Sequence, residues 1–174
     1  MTINTQRRYA VYAGVAAVAG LTGVGVAWQR HRMAELSDAA LARLWASEFN
    51  TPTGELLKLS GFQGQGMVVN FWATWCPPCV EEMPLLDRFY RENSSKGWQV
   101  IGLAIDQPSQ VKRFLNQFPV AYPIALGGLQ GSDWVRQLGN AQGGLPFTVV
   151  FDGTGKLKSQ KLGKLSSEDL QAWL

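Results

Sequence analysis

Hydrophobic and polar positions change their rhythm several times along this chain, and each change marks an element. Tyr9 to Trp28 carries no charged residue, and a helix of that length rises about 30 Å, enough to cross a bilayer core. Between Gln29 and Ser47, Glu, Arg, Ala and Leu mix, with Leu36, Ala40 and Leu44 at helical spacing. This stretch reads either as a juxtamembrane stalk or as the packed first helix of a folded domain. "FNTPTGELLKL" sets the turn signal Thr51-Pro52-Thr53-Gly54 between two short runs that suit a hairpin. Met67 to Ala73 is a nearly continuous apolar run, the pattern of a strand buried on both faces of a sheet. A helix comes next, opening at Pro77-Pro78, where missing N–H groups cost little, and running to about Asn93.

The alternation of element types continues to the end. Trp98 to Ile105 is a second buried strand, and the helix before it has the length a right-handed crossover needs. Asp106 to Phe118 reads as a helix, Ala121 to Ala125 as a short strand, and Ser132 to Leu138 as another helix. "FTVVFDGTGKLKSQKLG" predicts two strands around the hairpin turn Asp152-Gly153-Thr154-Gly155. The closing "LSSEDLQAWL" starts a helix with a Ser-x-x-Asp capping pattern. The order predicts an α/β domain with a mixed central sheet flanked by helices. Its expected boundaries are a cytoplasmic N-terminus at 1–8, a transmembrane anchor or uncleaved signal at 9–28, a stalk at 29–46 and the folded domain at 47–174.

Charge narrows the partners. The formal net charge is +3, but Arg7, Arg8, Arg30 and Arg32 supply the excess, all near the N-terminus. From Met33 onward 12 Lys/Arg face 13 Asp/Glu, and a near-neutral domain gives no support to nucleic-acid binding. The arginines tie at two on each side of the apolar run, so the positive-inside rule leaves its orientation open. An anchor and a cleaved export signal both place the domain outside the cytoplasm.

Chemistry concentrates in one stretch, "FWATWCPPC", which holds both cysteines. A purely structural bridge between them would close almost no loop and so add little stability. On the first turn of a helix, however, positions i and i+3 lie about 5–6 Å apart, within disulfide range. Cys76 and Cys79 therefore read as a redox-active pair, with Cys76 as the attacking thiol at the helix N-terminus and Cys79 as the resolving one. Pro77 and Pro78 withhold two N–H donors from the Cys76 anion, which points to a moderate thiolate acidity and a reducing couple. With two cysteines and one histidine, His31, a four-ligand zinc site cannot be assembled within one chain, and no metal or other cofactor is expected. Helical geometry sets Glu82 within roughly 60° of Cys79, at the edge of the apolar stripe Cys79, Met83, Leu86 and Tyr90, whereas Glu81 points away to solvent.

The segment "NFWATWCPPCVEEMP", with "GGLPFTVVFDGTGKL" farther on, resembles the thioredoxin superfamily, specifically its membrane-anchored TlpA/ResA-like branch of extracytoplasmic thiol-disulfide oxidoreductases. The resemblance covers about Phe49 to the C-terminus. It implies a thioredoxin-like fold, a cis peptide bond at Pro146, and pairing of Leu145 with the substrate's chain. It further implies a docking surface around Trp75 and Pro77, and a proton-handling role for Glu82. Asn70 departs from general thioredoxins, which carry an Asp six residues before the first cysteine, and an Asn cannot take the proton. Implied substrates are exported proteins with disulfides, apocytochrome c and copper-site proteins among them, with a membrane protein supplying the reductant. Together with the uncharged run, these features point to a single-pass protein of the bacterial inner membrane with its domain in the periplasm.

Other readings stay open at this level. The same pair run in reverse makes a disulfide donor, and an inert bridge would leave an anchored binding module. A thiol peroxidase is a weaker match, because its Thr-x-x-Cys spacing is not kept by Thr74 and Cys76. Glu82 as a solvated helix-face residue and Pro146 as a trans proline are the plain alternatives for those positions.

Overall fold

Alternation along one central strand decides which residues face which layer. The computed structural model of the chain describes residues 38–174. The expectations for 1–8, for the span at 9–28 and for 29–37 of the stalk lie outside these residues. Strand β3 (Gly66–Trp72) is buried at every position, because helices cover both of its faces. Met67, Val69 and Phe71 enter one core layer, while Val68 and Trp72 enter the other, as a period of two requires.

In chain order the elements are α1 (Asp38–Trp45), β1 (Glu48–Asn50), β2 (Leu56–Lys58), β3, α2 (Pro77–Asn93), β4 (Trp98–Ala104), α3 (Pro108–Gln117), β5 (Ile124–Leu126), α4 (Gly128–Gln137), β6 (Phe147–Phe151), β7 (Leu157–Leu162) and α5 (Ser167–Gln171). The five-stranded sheet runs β5-β4-β3-β6-β7. β4 lies parallel to β3, and β5 parallel to β4. β6 and β7 are antiparallel additions on the other side, so the sheet is mixed. β1 and β2 pair antiparallel beside it. α2 is the crossover between the parallel strands β3 and β4 and packs with α3 and the C-terminal segment on one face. α1 and α4 pack on the other.

Local chemistry explains several boundaries. Asp152 Oδ1 accepts from Thr154 N–H (2.8 Å), the Thr154 hydroxyl (2.6 Å) and Lys156 N–H (3.1 Å), which closes the β6–β7 turn with Gly155 at φ 80°. Ser166 and Asp169 form a reciprocal capping box on α5. Among the described residues no helix is long and apolar enough to cross a membrane.

Some expectations are corrected. The stalk does not continue through residues 38–46: α1 drives Leu44 and Trp45 into the core, and the Trp45 indole donates to the Gly155 carbonyl. That is the packed-helix alternative. α4 begins at Gly128 instead of Ser132. The glycines at its start look like breakers in sequence. Yet a Cβ on Gly127, the residue before the helix, would lie 3.2 Å from the Gly131 Cα and 3.3 Å from the Ala104 carbonyl oxygen, and Gly128 takes a φ of 51°. Close packing calls for the first and backbone conformation for the second. β5 starts at Ile124 instead of Ala121. Pro123 has no N–H for the ladder, although its carbonyl accepts from Gly102 N–H at 2.9 Å. α3 starts at Pro108, because Asp106 is committed elsewhere.

Candidate active site

The loop between β3 and α2 is tied down before it reaches the cysteines. Thr74 donates its N–H (2.9 Å) and its hydroxyl to the Asp106 carboxylate at the end of β4. Trp75 next to it is 66% exposed, an apolar ring held at the surface by a fixed backbone. Cys76 occupies the N-cap of α2, followed by Pro77 and Pro78 in its first turn. Cys79 N–H (3.0 Å) and Val80 N–H (3.2 Å) both donate to the Cys76 carbonyl. Of the four N–H groups usually free at a helix start, those of Pro77 and Pro78 are absent. That of Cys79 is bonded within the turn and that of Cys76 donates to the Ala73 carbonyl at 3.2 Å, while the Val80 bond is the helix's ordinary first one.

Cys76 and Cys79 form a disulfide with Cα atoms 5.3 Å apart, the separation expected of i and i+3 on a helix. Cys76 is 5% exposed and Cys79 fully buried, so solvent and partners reach Cys76 first. Leu145 packs against the same cluster that holds both cysteines, which brings the loop before β6 to the pair. The Leu145–Pro146 bond is cis, and the Pro146 carbonyl accepts from Gly163 N–H at 2.9 Å.

Beneath the pair, Glu82 is 0% exposed. Its Oε1 accepts from Asn70 Nδ2 (2.7 Å) and its Oε2 from Leu165 N–H (2.7 Å). Burial pushes its pKa above the ordinary value, against the opposing pull of those two donors and of Lys164. Glu81, by contrast, stands at the surface and pairs with Lys164 at 2.6 Å. One helical turn thus presents a solvated carboxylate and a desolvated one side by side.

Several contributors had no clear signal in the sequence. Asp106 looked like a helix start, and Thr148 like one more strand residue. Asn140 is buried, donates to the Gly144 carbonyl (2.7 Å) and accepts from Gly143 N–H (3.1 Å), so it shapes the loop that carries Leu145. Leu162, exposed, lies against Gly144 beside that loop. Among the described residues there is no free cysteine and no group of His, Cys, Asp or Glu that could hold a metal.

Sheet order, helix positions and a Cys-x-x-Cys pair at the start of the crossover helix define a thioredoxin-fold thiol-disulfide oxidoreductase. Residues 44–173 match the Redoxin family. The chain is 34% identical over 122 residues to the thiol-disulfide oxidoreductase ResA of Bacillus thuringiensis (strain Al Hakam), covering 70% of this chain and 68% of that protein. The same figures hold for ResA of Bacillus anthracis. Among solved structures it resembles a thioredoxin-related protein from Neisseria meningitidis serogroup B, with a TM-score of 0.64 and 29% identity over 72% of this chain and 94% of that one. It also resembles a thiol:disulfide interchange protein from Chlorobium tepidum, with a TM-score of 0.63 and 26% identity over 73% and 89%. The chain belongs to the Redoxin family and, within it, to the ResA-like thiol-disulfide oxidoreductases.

Proposed function

We propose that this oxidoreductase works as a reductase of protein disulfides outside the cytoplasm, tethered by residues 9–28 to the bacterial inner membrane. The observation that carries the direction is the first turn of α2. Pro77 and Pro78 have no N–H, and those of Cys76 and Cys79 are bonded to the Ala73 and Cys76 carbonyls, so little stabilises a thiolate on Cys76. A less stabilised thiolate disfavours the dithiol form and makes it the better reductant.

The exchange runs in two balanced steps. The Cys76 thiolate attacks one sulfur of the substrate disulfide; that S–S bond breaks, and the second substrate sulfur leaves as a thiolate that takes up a proton. Cys79 then loses its proton towards Glu82 and attacks the Cys76 sulfur. The mixed disulfide breaks, the substrate's remaining sulfur leaves, and Cys76–Cys79 is oxidised while two electrons have passed to the substrate. Glu82 suits the relay because desolvation raises its proton affinity, so its ionised carboxyl takes the Cys79 proton more readily than a surface carboxylate would. Trp75, Pro77, Leu145 and Pro146 form the docking surface around Cys76. Exported proteins with disulfides, apocytochrome c and copper-site proteins among them, are the proposed substrates, and a membrane protein recharges the pair.

Equilibration against glutathione buffers tests the direction. The expected potential lies near that of reducing thioredoxins, about −270 mV, whereas one near the strong-oxidant end, about −120 mV, makes the protein a disulfide donor.

A further inference from the structure

Asn70 sits on β3 directly across the sheet from Gly102 on one side and Thr148 on the other, in the layer beneath α2. It is fully buried. Its Nδ2 spends both hydrogens, one on Glu82 Oε1 (2.7 Å) and one on Thr148 Oγ1 (2.9 Å), while its Oδ1 has no partner. A buried carbonyl left alone costs about 1–3 kcal/mol, so something must hold the amide this way round. An ionised Glu82 does so, because a carboxylate only accepts. A protonated Glu82 reverses the demand: its O–H needs an acceptor where the amide now presents a donor.

The two ends of an Asn amide have nearly the same shape, and turning the group about its last bond exchanges them. No hydrogen bond to Oδ1 holds it back; the turn carries both Nδ2 hydrogens to the side where Oδ1 now has no partner, a cost that the new bond from the Glu82 O–H must offset. After it, Oδ1 can accept from the carboxyl O–H of Glu82 and from the Thr148 hydroxyl at once. Glu82 Oε2 is held by Leu165 N–H, a backbone donor that cannot turn, so the proton belongs on Oε1. We propose that Asn70 is a reversible positioning residue for the relay: its amide donates to Glu82 Oε1 when Glu82 is ionised and turns to accept from it when Glu82 carries the proton. An Asp at this position would instead add a second titrating acid. Asn70 lets Glu82 exchange a proton without moving the carboxyl group.

Other groups acting on Glu82 are Lys164 from the loop after β7, which favours its ionised form, and Asp169 from α5, which opposes it. Tyr122, before β5, is buried and kept neutral by desolvation, with Glu82 adding to the effect. None of these contacts replaces the amide at Oε1.

The inference rests on the acid role proposed for Glu82, and the test separates the two. Carbon NMR of the Glu82 carboxyl in the full chain gives its midpoint, and contacts from the Asn70 amide protons give the amide's orientation. Above the midpoint those protons should lie against Thr148, and below it they should leave. Asn70→Ala removes the donor to the charged form and the acceptor for the protonated one, so the midpoint should move by less than about one pH unit, with the pH profile of disulfide exchange following it, whereas loss of an amide that only donates would raise it by more. Amide protons that keep Thr148 on both sides of the midpoint overturn the inference, even if Asn70→Ala does not fold. A midpoint raised by well over about one pH unit in a folded Asn70→Ala, the mark of an amide that only donates, does the same. If Glu82→Gln removes the pH dependence of exchange while the amide never turns, this inference falls alone. If Glu82→Gln leaves that dependence unchanged, the relay falls and takes this inference with it.

Discussion

Replacing Glu82 by Gln removes a titration that the folded protein resists. Burial raises the folded pKa of Glu82 above its ordinary value of 4.5, while the unfolded chain ionises at about that ordinary value. Between the two, the folded state holds a proton that the unfolded state has released. Its contribution to stability is therefore complete below the unfolded pKa and is lost as pH rises through the folded one. Each pH unit inside that window costs the wild type about 1.4 kcal/mol. Gln carries no such cost, and it resembles the protonated acid, with an oxygen for Leu165 N–H and an amide for the turned Asn70. Asp87, Asp152 and Asp169 have lowered pKa values and act with the opposite sign on the acid side, but both chains carry them. Urea unfolding of the oxidised chains should show near-equal stability at about pH 4 and a Gln advantage that grows as pH rises towards the folded midpoint of Glu82 and levels off above it. A difference that stays flat over that range, or that turns against Gln at high pH, refutes the reasoning.

Two particular contacts and the proposed orientation carry three further expected outcomes. Asp106→Ala leaves the Thr74 N–H and hydroxyl without their acceptor; thermal unfolding should show a loss of about 1–2 kcal/mol, and kcat/KM for a disulfide substrate should fall because Trp75 loses its fixed backbone. Gly102→Ala would set a Cβ 2.5 Å from Ile124 Cδ1 and 3.1 Å from Trp72 Nε1, and overpacking there should cost about 1–3 kcal/mol in the same assay. An alkaline phosphatase fusion after Leu174 should be active, and an inactive fusion beside an active cytoplasmic reporter would reverse the proposed orientation.

What could be read from sequence was local or periodic. The apolar run of β3 needs helices on both faces, and the structure supplies them. The capping box of α5 and the Asp152 turn are short-range chemistry, complete within five residues. Helical arithmetic placed Glu82 at the edge of the buried stripe and Glu81 outside it, and the two exposures differ accordingly. The long-range partners were not legible. Thr74 and Asp106 are 32 residues apart, Asn70 and Thr148 are 78 apart, and Glu82 and Leu165 are 83 apart. Only the folded sheet brings them together. Leu165 contributes a backbone N–H, which no side-chain pattern could announce.

The most direct test of the central claim is trapping with single-cysteine variants of the full chain. Cys79→Ser should accumulate mixed disulfides with exported proteins through Cys76, released by dithiothreitol, because attack proceeds while resolution is blocked. Cys76→Ser should accumulate none, since Cys79 is fully buried. If neither variant traps a partner and the wild-type Cys76–Cys79 bridge resists mild reduction, the pair is an inert staple and the exchange mechanism is wrong.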